Sequence, residues 1–149
     1  MQPKLIIMVG ISGSGKSTFA TGLKTSLNAT VVETDAIRVE LTGSAEDQTQ
    51  NARVFSVARQ RVSNLLRQGK NAVIDATSLT PRDRREWTKL GRSLDAETIA
   101  YVVKTDIETA KRRNASRTRK VPDWVIDKQF AKFSVPNKVS EDFDSIVIV

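Results

Sequence analysis

The chain of 149 residues contains no cysteine and no histidine. Without cysteine it has no disulfide framework and no thiolate chemistry, and without histidine as well it has no ordinary zinc site. Histidine is also the side chain that most often accepts a proton near neutral pH. We therefore expect any proton acceptor in this protein to be an aspartate or a glutamate.

Long apolar segments are missing too. No charged-then-apolar signal segment opens the sequence, and no apolar run approaches the roughly 18 residues of a membrane span. We expect a cytoplasmic protein with no membrane partner, folded as a single domain over residues 1–149. Lysine and arginine number 24 against 17 acidic residues, a formal net charge of +7. This excess predicts anionic partners, either nucleic acid or a phosphorylated small molecule.

Strand-like and helix-like segments alternate along the chain, which is typical of an α/β domain with a parallel sheet. Five strands are predicted, at Leu5–Val9, Thr30–Glu33, Ala72–Asp75, Thr98–Val103 and Ser145–Val149. Apolar residues at helical spacing predict helices at Thr18–Leu27 and Gln48–Arg67, the second with Arg53, Arg59 and Arg67 mostly on other faces than the apolar one.

Later helices carry start signals. Thr80 followed by Pro81 predicts a cap with proline at the first helical position. The spelling Thr105-Asp106-Ile107-Glu108 predicts a capping box headed by Thr105. The last helix is predicted to begin near Val121-Pro122-Asp123 and to end near Phe133.

The segment from Gly10 to Ser17 reads G-I-S-G-S-G-K-S, the spacing of a loop that binds the phosphates of a nucleoside triphosphate. It follows a buried strand and precedes a helix, as such a loop requires. Backbone N–H groups in the loop and the helix N-terminus attract an anion. Lys16 is expected to reach the β- and γ-phosphates, and Ser17 to coordinate Mg²⁺. The predicted nucleotide-binding residues here are Gly10, Ser12, Gly13, Ser14, Gly15, Lys16, Ser17 and Thr18. The alternative is a glycine-rich turn without a ligand.

An acid and an arginine follow the second predicted strand. Asp35 and Arg38 lie on one face if a helix begins there. The carboxylate can accept a hydroxyl proton, and the guanidinium can bind a phosphate through two hydrogen bonds. The alternative is a solvated ion pair at a helix N-terminus. Beside the phosphate loop, the pair favours a phosphoryl acceptor site.

Asp75 ends the third predicted strand, where phosphate-loop proteins often place an acid near Mg²⁺. We expect it to act on the metal directly or through the waters of the metal. A strand-terminal aspartate that only caps a turn is the alternative.

Seven basic residues occur between positions 104 and 120: Lys104, Lys111, Arg112, Arg113, Arg117, Arg119 and Lys120. In a phosphotransferase such a segment closes over the nucleotide and sets an arginine against the charge that develops during transfer. A solvated charged face is the alternative. With the phosphate loop, the pattern predicts a P-loop NTPase fold of three α/β/α layers, with a central five-stranded parallel sheet and a basic helical lid.

Four blocks of the sequence, in this order, resemble the kinase domain of the phage-type polynucleotide 5′-kinase family. They are Gly10–Thr18, Asp35–Arg38, Asp75–Pro81 with Arg84–Trp87, and Lys111–Asn114 through Arg117 to Val121-Pro122. Many unrelated NTPases share the first block, whereas the other three in combination are far more specific. One departure concerns Asp75, since Ala76 separates it from the threonine that the corresponding acid directly precedes in the best-known phage enzyme.

The resemblance implies transfer of the γ-phosphate of ATP, or of another NTP donor, to the 5′-hydroxyl end of DNA or RNA in the presence of Mg²⁺. Asp35 would be the general base, and Arg38 would bind the phosphate 3′ to the attacked nucleotide. Arg117 would be the lid arginine, supported by Arg113. The catalytic set would be Lys16, Asp35, Arg38 and Arg117, and the adenine would lie beside Val121 and Pro122.

Family members often carry a phosphatase or ligase domain, so such an activity would belong to a separate partner or to a longer parent chain. Two other functions stay open at this point. One is a small-molecule kinase on the same architecture, acting on a sugar, a nucleoside or an adenylyl sulfate. The other is an ATP-binding module that serves as a switch without transferring phosphate.

Overall fold

The computed structural model describes residues 2–118 and 120–149. Arg119, one of the seven basic residues considered above, lies outside the described residues. The strands are β1 Lys4–Val9, β2 Ala29–Glu33, β3 Asn71–Asp75, β4 Glu97–Val102 and β5 Ser145–Ile148. The helices are α1 Lys16–Ser26, α2 Thr34–Thr42, α3 Asn51–Arg67, α4 Pro81–Ser93, α5 Ile107–Ala115 and α6 Asp123–Lys132. Each predicted strand is present, with bounds that agree to within one residue.

The five strands form one parallel sheet in the order β2-β3-β1-β4-β5. Residues 5–9 of the central strand β1 are all buried, because α1 covers one face of the sheet while α3 and α4 cover the other. This arrangement confirms the predicted three-layer α/β P-loop fold. Since the strands are parallel, their C-terminal ends meet at one edge, where the phosphate loop follows β1, Asp35 follows β2 and Asp75 ends β3.

In helix α3 the apolar residues face the sheet, and the spacing between them leaves the arginines on other faces of the helix. Val54, Ala58 and Val62 are buried against the sheet, whereas Arg53 is exposed. The helix therefore has a basic outer surface, as its sequence pattern predicts. Among residues 2–118 and 120–149, no helix combines the length and the apolar character needed to cross a membrane.

The helix start signals are correct at α4 and wrong by one residue at α5. Thr80 accepts a hydrogen bond from the Asp83 N–H and Asp83 reaches back to Thr80, a complete capping box. At α5 the cap is Asp106 and not Thr105, since the Asp106 carboxylate accepts the Thr109 N–H at 2.8 Å. A carboxylate is a strong N-cap acceptor, so the helix begins after the aspartate.

Arg84 is fully buried and joins α4 to segments that lie far away in the chain. Its guanidinium donates to both carboxylate oxygens of Glu141, at 2.7 and 3.2 Å, and to the carbonyls of Ser78 and Ser134 at 2.9 and 3.1 Å. The carbonyl of Thr77, next to Ser78, accepts the N–H of Gly10 at 3.0 Å. Arg84 therefore holds the segment that supports the start of the phosphate loop.

Replacing Arg84 with methionine is expected to lower the free energy of unfolding by about 3–5 kcal/mol, because the change leaves the carboxylate of Glu141 buried without its partner. Urea unfolding followed by circular dichroism measures the loss. The matched control is Arg85→Met at the adjacent exposed position, which should change the free energy by less than about 0.5 kcal/mol. Equal stability of the two variants would contradict the structural role of Arg84.

Candidate active site

The phosphate loop connects β1 to α1 and depends on two glycines. Gly13 and Gly15 have φ values of +80° and +96°, a backbone conformation that residues other than glycine rarely adopt. A Cβ atom at Gly13 would also collide with the carbonyl oxygen of Ala110 in α5. The loop can therefore wrap this closely only with the residues that the motif supplies.

Ser14 and Lys16 give the loop its capacity to bind an anion. The Ser14 hydroxyl is buried and is the one such side-chain polar atom without a hydrogen-bond partner in the described part of the chain. The Lys16 ammonium donates to the carbonyl of Ile11 at 3.1 Å, inside the same loop. A buried hydroxyl without a partner is costly, and a phosphate oxygen would supply the acceptor that it lacks. These residues thus fit the phosphates of a nucleotide.

The charge of Lys16 is set by its surroundings at the sheet edge. Loss of contact with water lowers the pKa of Lys16, the charge of Asp75 raises it, and the charge of Arg117 lowers it further. Asp35 also raises the pKa of this ammonium. The four side chains come from four separate segments, and the fold places Asp35, Asp75 and Arg117 within electrostatic reach of Lys16.

Ser17 and Asp75 form the predicted pair at the strand ends. The Ser17 hydroxyl donates to the buried Asp75 carboxylate at 2.9 Å. Burial raises the pKa of Asp75, while the charge of Lys16 and the hydrogen bond from Ser17 act in the opposite direction. An oxygen pair of this kind fits Mg²⁺, which takes few protein ligands and keeps phosphate oxygens and waters as the rest. No cluster of three acidic residues that could hold a metal occurs within 2–118 and 120–149.

Asp35 and Arg38 share one face of α2, as the spacing predicts, and are paired. Arg38 is buried and donates from Nη1 to Asp35 at 2.6 Å. Its Nε and Nη2 atoms donate to the Asn51 side-chain oxygen at 3.3 and 3.1 Å. The Asp35 side chain is 38% exposed, so a molecule at the sheet edge can reach this carboxylate.

The described part of the basic segment includes α5, which lies against the phosphate loop. Arg113 donates to the carbonyl of Ser14 at 3.0 Å, so this arginine contacts the loop backbone. Arg117 is exposed, and its charge lowers the pKa of both Lys16 and Asp75. Lys111, by contrast, pairs with Asp127 of α6 at 2.8 Å. The segment therefore has both charges that act at the phosphate loop and a charge that is used in an internal ion pair.

Val121 and Pro122, predicted beside the adenine, lie where the chain enters α6. Both backbone polar groups of Val121 are hydrogen-bonded to the Asn114 side chain, at 2.6 and 3.0 Å. A cavity of about 620 Å³ opens between the phosphate loop, the segment after β4, α5 and α6, and neither Val121 nor Pro122 is among its lining residues. Ile11, Val103 and Phe130 give it apolar walls that suit a nucleobase. The role of Val121 and Pro122 stays a prediction.

Three contacts of the site have no counterpart in the sequence reasoning. Asn51 holds Arg38, the carbonyl of Thr77 holds Gly10, and the Gln129 side chain accepts the N–H of Ser12 at 2.8 Å. Asn51 and Gln129 are polar residues of ordinary helices, and Thr77 acts through its backbone. No local pattern distinguishes them, because each partner lies on another segment of the fold.

Comparison with known proteins agrees with this geometry. The model of a family described as AAA domain matches residues 5–136. A bifunctional polynucleotide kinase/RNA ligase of Autographa californica nuclear polyhedrosis virus, itself of putative assignment, is 27% identical in an alignment of 146 positions that covers 87% of this chain and 21% of the viral protein. The L-seryl-tRNA(Sec) kinase of Methanococcus maripaludis is 23% identical over 97% of this chain and 58% of its own length.

Among solved structures, a chain of the Pnkp1/Rnl/Hen1 RNA repair complex superimposes with a TM-score of 0.78 at 27% identity. The match covers 96% of this chain and 47% of that one. The present chain thus spans about a fifth to three fifths of the length of these relatives. The similarity therefore concerns one kinase-like portion of proteins that are longer.

Changing Asp75 to asparagine is expected to raise or preserve stability near neutral pH while it lowers phosphate transfer by about 10- to 100-fold. The folded-state pKa of Asp75 is raised, so its ionisation costs stability as pH rises through that pKa. The amide removes this cost and still accepts from Ser17. Thermal unfolding between about pH 4 and pH 8 measures the difference.

The matched control is Asp95→Asn, an acid-to-amide change at an exposed position in the turn before β4, at the opposite edge of the sheet from the phosphate loop. It should leave both stability and transfer close to those of the parent protein. An Asp75→Asn variant that is less stable than the parent at neutral pH would show that the ionised carboxylate does not destabilise the folded protein.

Proposed function

This chain belongs to the AAA domain family and has a P-loop kinase fold, and from that premise we propose that it is a Mg²⁺- and ATP-dependent polynucleotide 5′-hydroxyl kinase. It would transfer the γ-phosphate of ATP to the 5′-hydroxyl end of DNA or RNA. The observation that carries the proposal is the position of Asp35. Its carboxylate is paired with Arg38, and its charge raises the pKa of both Lys16 and Asp75 beside the phosphate loop.

Arg38 supports an acceptor that carries a phosphate close to its hydroxyl. A guanidinium has five N–H donors, and the described residues use three of them, one to Asp35 and two to Asn51. One donor is left on each terminal nitrogen, the spacing that two oxygens of one phosphate can accept. An acceptor phosphate bound there would bring a neighbouring hydroxyl to the Asp35 carboxylate.

Exposed cations on α3 and α4 support a polynucleotide over a smaller acceptor. Five of them form no ion pair and no side-chain hydrogen bond with the described residues: Arg53, Arg67, Arg82, Arg85 and Lys89. Cations without an acidic partner remain available for backbone phosphates, which supply most of the affinity for nucleic acid. A small acceptor would make no use of this surface.

In the proposed reaction the protein mainly positions the reactants and offsets charge. Asp35 accepts the proton of the attacking hydroxyl, which Arg38 orients through the adjacent phosphate. Lys16 and Ser14 hold the donor phosphates, and Arg117 faces the charge that grows during transfer. When bound beside Ser17 and Asp75, Mg²⁺ supplies further neutralisation of the donor phosphates. A phosphatase or ligase activity would come from a partner protein or a longer parent chain.

A small-molecule kinase is the second candidate, and one cavity favours it. A space of about 680 Å³ opens beside Ser17 and Asp75, between α1, α2, α3 and the edge strand β2. Glu33 and Glu40 join Asp75 in its walls, against Lys24 and Arg61. Such mixed charge suits a small polar molecule better than a polyanion.

Asp35→Asn is expected to reduce kcat for labelling a 5′-hydroxyl oligonucleotide by about 10²- to 10⁴-fold, since an amide cannot accept the hydroxyl proton. Binding of ATP should change little, because Lys16 and the loop remain. Lys16→Ala, in contrast, should abolish ATP binding and transfer together. The measurements are label transfer from γ-labelled ATP and equilibrium binding of ATP, with Asp95→Asn as the matched acid-to-amide control.

The acceptor panel separates the candidates. We expect transfer to a 5′-hydroxyl trinucleotide of DNA or RNA and none to free nucleosides, sugars or adenylyl sulfate. The reverse result would establish the small-molecule kinase, and binding of ATP without transfer to any acceptor would establish a switch module. Near-normal turnover of the Asp35→Asn variant would refute the assigned base.

A further inference from the structure

The helices α5 and α6 contact three consecutive residues of the phosphate loop. The side-chain oxygen of Gln129 in α6 accepts the N–H of Ser12 at 2.8 Å. The carbonyl of Ala110 in α5 lies where a Cβ of Gly13 would be. Arg113, one turn further along α5, donates to the carbonyl of Ser14 at 3.0 Å. The outer side of the loop is thus defined by these two helices rather than by β1 and α1 alone.

The two helices are themselves tied into one unit, which we term the lid pair, residues Ile107–Ala115 and Asp123–Lys132. Lys111 and Asp127 form an ion pair between them at 2.8 Å. The Asn114 amide bonds both backbone groups of Val121 and so closes the segment between the helices. Arg117 lies within that closed segment. A displacement of α6 would therefore move Arg117 together with the contact to Ser12.

Gln129 is the residue through which α6 takes part in this contact. It is half-buried and comes from a part of the chain 117 residues away from Ser12. Arg113 grips the loop with a positive charge, whereas the Gln129 acceptor is neutral. A neutral acceptor is suited to this position, because a carboxylate would repel the phosphates bound on the inner side of the loop.

We propose that Gln129 is a positioning residue for the donor nucleotide, which fixes the phosphate loop to the lid pair by accepting the N–H of Ser12. The inference rests on the proposed use of ATP as phosphate donor. Gln129 acts through the backbone of Ser12 and not by contact with the nucleotide. Its loss leaves that N–H without an acceptor and lets the loop and Arg117 shift relative to each other. The effect falls on the donor, while the acceptor elements Asp35 and Arg38 lie on α2.

Gln129→Leu is expected to weaken ATP binding by about 5- to 30-fold, because binding must then order a loop that the Ser12 hydrogen bond no longer holds, at a cost of up to about one hydrogen bond. The KM for ATP should rise by a similar factor, with the KM for the oligonucleotide acceptor unchanged. Equilibrium binding of ATP, steady-state kinetics and thermal unfolding measure these effects. The matched control is Gln60→Leu on the exposed side of α3, for which ATP binding should stay within about twofold of the parent.

Gln129→Glu separates the acceptor from the charge. Its carboxylate can still accept from Ser12, so at high ionic strength, where its charge is screened, ATP binding relative to the parent should be close to normal. At low ionic strength the same variant should bind ATP several-fold more weakly than the parent. The deficit of Gln129→Leu should not depend on salt in this way. This second variant tests the positioning role of Gln129 even where Gln129→Leu folds poorly.

Two results would overturn the proposal: ATP binding of Gln129→Leu within twofold of the parent, or equal increases in the KM values for ATP and acceptor. A Gln129→Glu variant that stays as weak at high salt as at low salt would also count against it. The ATP-binding measurements need no acceptor. Failure of the parent protein to label any oligonucleotide would thus refute the polynucleotide acceptor while leaving the test of Gln129 intact.

Discussion

The partial burial of the Lys16 side chain is the constraint on which the arrangement of the site depends. The loop that ends β1 wraps around this group, and the resulting loss of hydration lowers the pKa of Lys16. Asp75 and Asp35 oppose this effect, and both follow strands on the β3 side of β1. A phosphate in the loop adds negative charge and raises the pKa of Lys16 again. Donor binding and protonation of Lys16 are therefore coupled.

The same lack of water makes Asp75 a costly residue. Burial raises the pKa of this carboxylate in spite of the nearby lysine and the hydrogen bond from Ser17. Removing one partner of such a buried pair changes the free energy of the other in the folded protein. A substitution here therefore cannot improve the stability of the protein without affecting its function. A cation and phosphate oxygens beside Ser17 would offset the charge that the folded protein otherwise holds at a cost.

Local patterns predicted the parts of the site that follow directly from strand order. The phosphate loop is defined by its own spacing, and Asp35 and Asp75 are found together because parallel strands end at one edge. The contacts of Asn51, Gln129 and Glu141 were not predictable in this way. Each joins segments whose proximity arises only from tertiary packing, and its residue type is common on helix and loop surfaces. The cap at α5 was placed one residue early because Thr105 and Asp106 both suit a helix start.

The basic run before α6 shows why charge counting alone could not assign roles. Lys111 is paired with Asp127, so it stabilises the contact between α5 and α6 and contributes little net charge to the site. Arg117 differs from Lys111. The hydrogen bonds between Asn114 and Val121 constrain the segment that contains it, and its positive charge repels that of Lys16 and lowers the pKa of Lys16. Like charges held close together are unfavourable until an anion lies between them. In the proposed function, an arginine in that position would favour a bound polyphosphate over an empty loop. This energy, rather than the number of basic residues, is what would make the segment a lid.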